Sequence, residues 1–428
     1  MWQHAPHGLT DEQRAIAEYQ AGPALVLAGV GSGKTLVLAE RAAIALRQRR
    51  DPATMLALTF TNRAAREMRA RLRTVVGQDA DEVGVGTFHA FCARVLRRDG
   101  KPLGIEAHFV IWDEVDRAEA LGTLLAERGR GVDQRTVRAC IEWIGRTKAA
   151  GYLPQTLPDE LREARWAPAF RRYQRLLADS RALDYDDLIV QTWTLFRQFP
   201  AIRRRWAERC AWVEVDEGQD TAPLEYDILR DLTAEHRNLC VFGDLRQAIY
   251  GWRGVHGERI VADFRADFPE HLALPLTHNF RATAPLQALA RSIFEGGWGD
   301  AAPAEPPADF ALQACVDEAA ESRWIAERVV AERERGTPWS GIAVLARTNA
   351  QLAPLVEALG LVDIPLATVA TRERFRQPTV KELTSYLRLV LDPCDSVALR
   401  RIINTPDRGL SPELIAAVER EGAPVGLT

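Results

Sequence analysis

Residues 28 to 35 read AGVGSGKT. A short apolar run, ALVLAG (24–29), feeds this glycine-rich turn, and a helical pattern begins near Lys34. In such a loop the glycines let backbone N–H groups point inward at phosphate oxygens. The lysine reaches the β- and γ-phosphates, and the Thr35 hydroxyl ligates Mg²⁺. Ala28, Gly29, Gly31, Ser32, Gly33, Lys34 and Thr35 are therefore candidate ligands for ATP and Mg²⁺. A glycine-rich turn before a helix can be merely structural, but strand, loop, Lys-Thr and helix in register favour a phosphate site. Such a loop needs a second acidic partner, and VEVDEGQD (213–220) carries one at the end of another apolar run. Asp216 is suited to hold Mg²⁺ through water, and Glu217 to polarise an attacking water. A third strand end, VFGDLRQAIYGWRG (241–254), carries Gln247, placed to sense a γ-phosphate. It then carries Tyr250, Trp252 and Arg253. This cationic aromatic cluster is suited to something other than the nucleotide, and a plain core strand would not need both.

Several elements must position these groups. Short apolar runs end at the motif-like turns: ALVLAG, MLALTFT (55–61), WVEVDE (212–217), LCVFGD (239–244) and GIAVLART (341–348). Arg- and Ala-rich helical stretches separate them, such as 36–50 and 62–76. Strands alternating with helices predict βαβ units and a parallel sheet covered on both faces. Residues 96–184 differ: they are Arg/Glu/Ala-rich, with Trp and Leu at helical spacing and no clear strand, and read as a helical insertion. DAAPAEPPA (300–308) reads as a loop or linker. From 309 a strand–helix–strand pattern restarts, with FALQACV, ESRWIAERVVAERER and GIAVLA, and from about 379 the text is helical again.

The bulk numbers narrow the class. A chain of 428 residues is long enough for ~2–4 domains. With 47% hydrophobic and 27% charged residues it is globular, and no run of ~18 apolar residues suggests a membrane span. The first residues, MWQHAPHGLTDEQ, do not read as a secretory signal. Six scattered cysteines never form C-x-x-C, which fits reduced thiols and a cytoplasmic setting. A net charge of −4 means that nucleic-acid binding must come from a local groove.

Taken together, the ordered motifs resemble those of superfamily 1 helicases of the UvrD/Rep/PcrA kind. LTDEQ with Gln13 resembles the adenine-reading Q motif, AGVGSGKT motif I, TFTNRAAREM (59–68) motif Ia and GTFHAF (86–91) motif Ib. LDYDDLI (183–189) resembles the acidic segment before motif II, VDEGQD motif II, GDLRQAIYGWRG motif III and LTHNFRAT (276–283) motif IV. IAVLARTNAQ (342–351) is similar to the start of the family's second motor domain, and residues 382–410 to the start of its 2B insertion. The resemblance implies an α/β fold: a RecA-like P-loop NTPase domain 1A (1–95 and 185–280), a helical subdomain 1B (96–184), a first part of a RecA-like domain 2A (281–378) and the start of a helical 2B (379–428). It implies that Phe60 and Asn62 line a single-strand path with His89 nearby, that Tyr250, Trp252 and Arg253 lie along it, that Phe280 sits beside adenine, and that Arg281 reaches the γ-phosphate across the domain cleft.

Several positions depart from the family pattern. Gly218 stands where an aromatic is usual, Leu245 and Arg246 where acids are common, and Leu36 where an arginine often stacks on adenine. Nothing after 410 resembles motifs V or VI. The expected activity is a DNA-dependent ATPase and 3′→5′ DNA translocase or helicase acting on single-stranded or tailed duplex DNA. The alternative is a shortened ATP- and DNA-binding subunit that gates a partner nuclease or repair protein, in DNA repair or antiviral defence. A P-loop switch without DNA is disfavoured, because it leaves the strand-path motifs unexplained.

Overall fold

The computed structural model describes residues 8–48, 50–126, 131–251, 254–296, 310–367, 377–411 and 414. Two compact units divide the chain: Met1–Arg281 with Glu382–Thr428, and Ala282–Lys381.

The first unit is built on a parallel sheet in the order β3-β2-β6-β7-β1-β8. The strands are β1 (Ala24–Ala28), β2 (Met55–Thr59), β3 (Gly84–Thr87), β6 (Trp212–Val215), β7 (Leu239–Gly243) and β8 (Leu272–Leu276). Alternate side chains serve opposite faces. Leu25, Leu56, Leu58, Val213, Val215, Leu239 and Val241 enter one core with the helices Phe88–Asp99, Tyr185–Gln198 and Pro223–Thr233. Ala24, Val26, Ala57, Trp212, Cys240 and Phe242 enter the other with the helices Lys34–Arg47 and Asn62–Val76. Two-sided burial is why these runs read as continuously apolar rather than alternating.

The segment 96–184 is not purely helical. Strands β4 (Val110–Trp112) and β5 (Ala182–Asp184) pair in parallel, Val110 with Ala182 and Trp112 with Asp184. Three-residue strands leave too short an alternation to be read from sequence. Around them pack the helices Glu114–Leu125, Gln134–Ala149 and Ala167–Asp179, with Trp112, Ile144, Phe170 and Tyr173 fully buried. A buried polar knot closes this subdomain: Lys148 Nζ lies 2.8 Å from both Asp184 Oδ2 and Asp187 Oδ1. Asp184 caps the helix Tyr185–Gln198, so the acidic segment LDYDDLI is a capping box held by a buried lysine.

Residues of 382–411 dock on the same subdomain. Arg388 Nη1 and Arg401 Nη2 reach the two oxygens of the buried Asp116 carboxylate at 2.8 and 2.9 Å, and Val397 joins that core.

The second unit is helical among its described residues. Helices Glu318–Glu334 and Asn349–Gly360 pack through Ala326, Val329, Leu355 and Leu359. Strands were expected at FALQACV and GIAVLA. Instead, the described residues of those runs lie in no ladder. Leu312, Val316 and Leu345 are 71%, 94% and 91% exposed, Ile342 alone of GIAVLA packs on the core of the two helices, and among the described residues no strand pairs with these runs. Among the described residues no helix is long and apolar enough to cross a membrane.

Candidate active site

Apart from Gln13 on the helix Asp11–Glu18 and Ala28 at the end of β1, the described candidate groups of the first unit follow the carboxyl end of a strand, which is where ligands gather in open parallel sheets. Strands β1, β6, β7 and β8 deliver the nucleotide groups, while β2 and β3 deliver Phe60 and His89.

The loop after β1 is held from three sides. Gly31 and Gly33 take left-handed backbone (φ 68° and 84°). A Cβ on Gly31 would lie 2.5 Å from Asn279 Oδ1 and 2.6 Å from the Arg281 Cβ, so only glycine fits there. The Phe280 N–H donates to the Gly31 carbonyl at 2.9 Å, and the Gly29 N–H to the Leu276 carbonyl at 3.2 Å. Arg281 and Phe280 therefore lie against the loop through their backbone, with the Phe280 ring about half exposed beside His278, 4.3 Å between centroids. The Ser32 hydroxyl donates to the Gly29 carbonyl at 2.8 Å. Gln13 is buried; its Nε2 donates to the Ser32 carbonyl at 3.1 Å and its Oε1 accepts the Thr10 N–H. Its neighbour Glu12 accepts the Thr277 N–H and hydroxyl at 2.9 and 2.7 Å. One short helix, Asp11–Glu18, thus braces both the loop and the segment leading to Arg281.

The helix Lys34–Arg47 begins at Gly33, whose lack of a side chain leaves the first-turn N–H groups uncapped. That cradle, an adjacent lysine and a hydroxyl suit a triphosphate. Thr35 lies near the buried Asp216 carboxylate and favours its charged form. These are hard oxygen ligands of the kind Mg²⁺ takes, so the residues fit an ATP·Mg²⁺ complex. Burial, and then the Glu217 charge, push Asp216 up to about 6, against the pull of Lys34 and Thr35.

Glu217 sits in left-handed backbone (φ 54°), a conformation costly for a residue with a Cβ. Lys34 Nζ lies 3.9 Å from its Oε2, and Gln219 Nε2 donates to the same oxygen at 2.8 Å. Gln219 Oε1 accepts the Asp244 N–H at 2.9 Å. The Asp244 carboxylate then accepts from Gln247 Nε2 at 2.8 Å and from the Arg246 N–H at 3.0 Å. Gln219 was not among the residues singled out from sequence, although it stands two positions after Glu217. Gly218 is explained as well: a Cβ there would lie 2.3 Å from Val241 Cγ1, so this chain has no room for a side chain at that point.

On the strand side, the Phe60 and Tyr250 rings lie 4.6 Å apart, although 190 positions separate them. His89 meets Tyr185 edge-on at 5.7 Å. Asn62 is exposed at the first turn of the helix Asn62–Val76. Trp252 and Arg253 lie outside the described residues.

The glycine-rich Lys-Thr loop, the Asp216–Glu217 pair and the Phe60–Tyr250 ring pair are carried by one parallel α/β sheet, the architecture of a P-loop NTPase fold. Two family models match the chain: the UvrD/REP helicase N-terminal domain over residues 9–269 and the UvrD-like helicase C-terminal domain over residues 274–428. The chain belongs to the UvrD/REP helicase family. It is 32% identical over 423 residues to the ATP-dependent DNA helicase PcrA of Staphylococcus epidermidis, covering 96% of this chain and 58% of that protein. The same identity holds for PcrA of Staphylococcus aureus, of which 57% is covered. The chain therefore spans somewhat over half the length of these relatives.

Proposed function

We propose that this protein is an ATP-driven DNA motor that binds single-stranded DNA and couples ATP hydrolysis to 3′→5′ movement along it. The observation that carries the reading is the continuous path from Phe60–Tyr250 back through Gln247, Asp244 and Gln219 to Glu217. A nucleotide switch without a strand would not need an aromatic pair at the end of that path.

In this reading Gln13 and Phe280 flank the adenine and the Gly31–Thr35 backbone cradles the phosphates. Lys34 turns from Glu217 to the β- and γ-phosphates. Thr35 and Asp216 hold Mg²⁺, which when bound neutralises charge on the phosphate oxygens. Glu217 accepts a hydrogen bond from the attacking water and takes its proton. The water oxygen bonds to the γ-phosphorus, the bond to the bridging oxygen breaks, and ADP and phosphate leave. Gln247 reads the presence of the γ-phosphate, and Arg281 adds positive charge to it. Phe60, Asn62, His89, Tyr250, Trp252 and Arg253 hold the strand by stacking and polar contacts, without sequence preference. The domain reading accompanies this: 1–95 with 185–280 as the ATPase domain, 96–184 as a helical subdomain, 281–378 as part of a second motor domain and 379–428 as the start of a further helical one. The 3′→5′ direction rests on the family resemblance.

ATPase rate with and without oligo(dT) tests the function. Stimulation of tenfold or more is expected; an unchanged rate overturns the reading. Duplexes with a single 3′ or 5′ tail test the direction.

A further inference from the structure

We infer that Gln219 is a positioning residue: its carboxamide aims Glu217 for hydrolysis and relays the position of the 244–250 segment to it. The inference rests on the motor reading above and deepens it.

A glutamine side chain offers one acceptor and one two-hydrogen donor, and here each end has a different partner. The donor end holds Glu217 Oε2 and the acceptor end takes the Asp244 N–H. The residue is 3% exposed, so neither bond is shared with bulk water. Its position is over-determined. A Cβ on Gly243 would lie 3.1 Å from Gln219 Oε1, and a Cβ on Gly257 would lie 3.1 Å from the Gln219 Cβ. Gly243 therefore leaves space for the carboxamide and Gly257 for the base of the side chain.

Glu217 needs such an anchor. Its left-handed backbone is unfavourable, and its other contact to the same oxygen is Lys34 at 3.9 Å. Once Lys34 engages phosphate, Gln219 is the remaining donor to Oε2 among the described residues. Oε1 is then left to accept from the water. Beyond Asp244 the chain runs through Gln247, bonded back to the Asp244 carboxylate, to Tyr250 against Phe60. A shift of that segment on strand binding moves the Asp244 N–H. Because the carboxamide is rigid and hydrogen-bonded at both ends, Glu217 moves with it.

Gln219→Met tests this, because it keeps length and packing but removes both hydrogen bonds. Nucleotide Kd, basal kcat and oligo(dT)-stimulated kcat are measured on the same preparation. The expected result is a Kd within about twofold of wild type, a basal kcat lower by about 10–100-fold, and a smaller fold-stimulation than wild type. A purely structural role would scale binding and rate together with the folded fraction. Gln219→Glu is the second variant: it keeps the acceptor for Asp244 but loses the donor to Glu217, so it should also lose rate at unchanged Kd. It serves equally if the methionine variant does not fold. Wild-type basal rates in both variants overturn the positioning role. A reduced rate with undiminished fold-stimulation overturns the relay. Absence of stimulation in the wild type itself overturns the motor reading instead, and the basal kcat of the variants still decides whether Gln219 positions Glu217.

Discussion

Arg41 Nη1 and Glu214 Oε1 lie 2.7 Å apart, with both side chains essentially excluded from solvent. The pair ties the helix that starts at Lys34 to β6, the strand that ends at Val215, just before Asp216. The Arg41 guanidinium also sits 4.8 Å from the Trp212 ring centroid and donates through Nε to the Tyr19 carbonyl. The two halves of the candidate nucleotide site are thus fastened beneath it by one buried ion pair.

Removing one member of such a pair leaves a buried charge without its partner. Arg41→Met should destabilise the fold by about 3–5 kcal/mol. The double variant Arg41→Met/Glu214→Leu should recover a large part of that loss. Urea melts followed by circular dichroism check this; equal stability of single and double variants would contradict it.

Lys34→Ala should abolish ATP hydrolysis and weaken nucleotide binding, since the cation that meets the phosphates is lost. Glu217→Gln should bind ATP and stall hydrolysis by 100-fold or more, since its amide is a poor proton acceptor. Fluorescent-nucleotide titration and phosphate release separate the two. Wild-type hydrolysis by Glu217→Gln with DNA present would remove Glu217 from the proposed chemistry.

Phe60→Ala and Tyr250→Ala should each weaken single-strand binding by ~1–3 kcal/mol, alike on oligo(dT) and mixed sequence, because stacking tolerates any base. Nucleotide affinity without DNA should not change. Anisotropy titrations decide. A loss confined to one base composition would point to base readout rather than stacking.

Gly218→Ala puts a methyl 2.3 Å from Val241 Cγ1. Overpacking of this kind costs about 1–3 kcal/mol. Val241→Ala in the same chain should relieve most of it, although that change carries a cavity cost of its own. A Gly218→Ala protein as stable as wild type would show that β7 yields without cost.

The buried knot of the helical subdomain predicts a pH dependence. Burial, and then the Asp184 charge, push Asp187 up to about 7. Burial opposes ionisation of Asp184 too, but Lys148 and Arg117 outweigh it and hold Asp184 below the usual carboxylate range. Lys148, Asp184 and Gln174 touch Asp187, and Tyr173 and Arg117 face Asp184. A carboxyl raised on folding adds stability that is complete below its unfolded value near 4 and is lost as pH rises through about 7. Asp187→Asn does not titrate, so its stability relative to wild type should improve from pH 5 to pH 8. Lys148→Met should destabilise at both pH values, by about 3–5 kcal/mol at neutral pH, because it leaves two buried carboxylates. A pH-independent difference between Asp187→Asn and wild type would show that Asp187 titrates normally.

Local chemistry determined much of this protein in advance. AGVGSGKT, VDEGQD and GDLRQ are legible because glycine, lysine and paired acids at strand ends have few uses besides phosphate and metal, and their order along the chain identifies the family. The strands that carry them were legible because burial on both faces makes them continuously apolar. Tertiary structure alone decided which side chains meet. Nothing in the text pairs Phe60 with Tyr250, Arg41 with Glu214, or Lys148 with Asp184, since such partners are set by sheet order and not by spacing. Gly218 reads as an unexplained departure until Val241 is seen to fill the space beside it. Gln219 reads as one polar residue in an acidic turn until the fold brings Asp244 to its far end. The β4–β5 pair was hidden because three residues are too few for a period. The strands expected near 310 and 342 are not formed among the described residues, where no neighbour completes their hydrogen bonds.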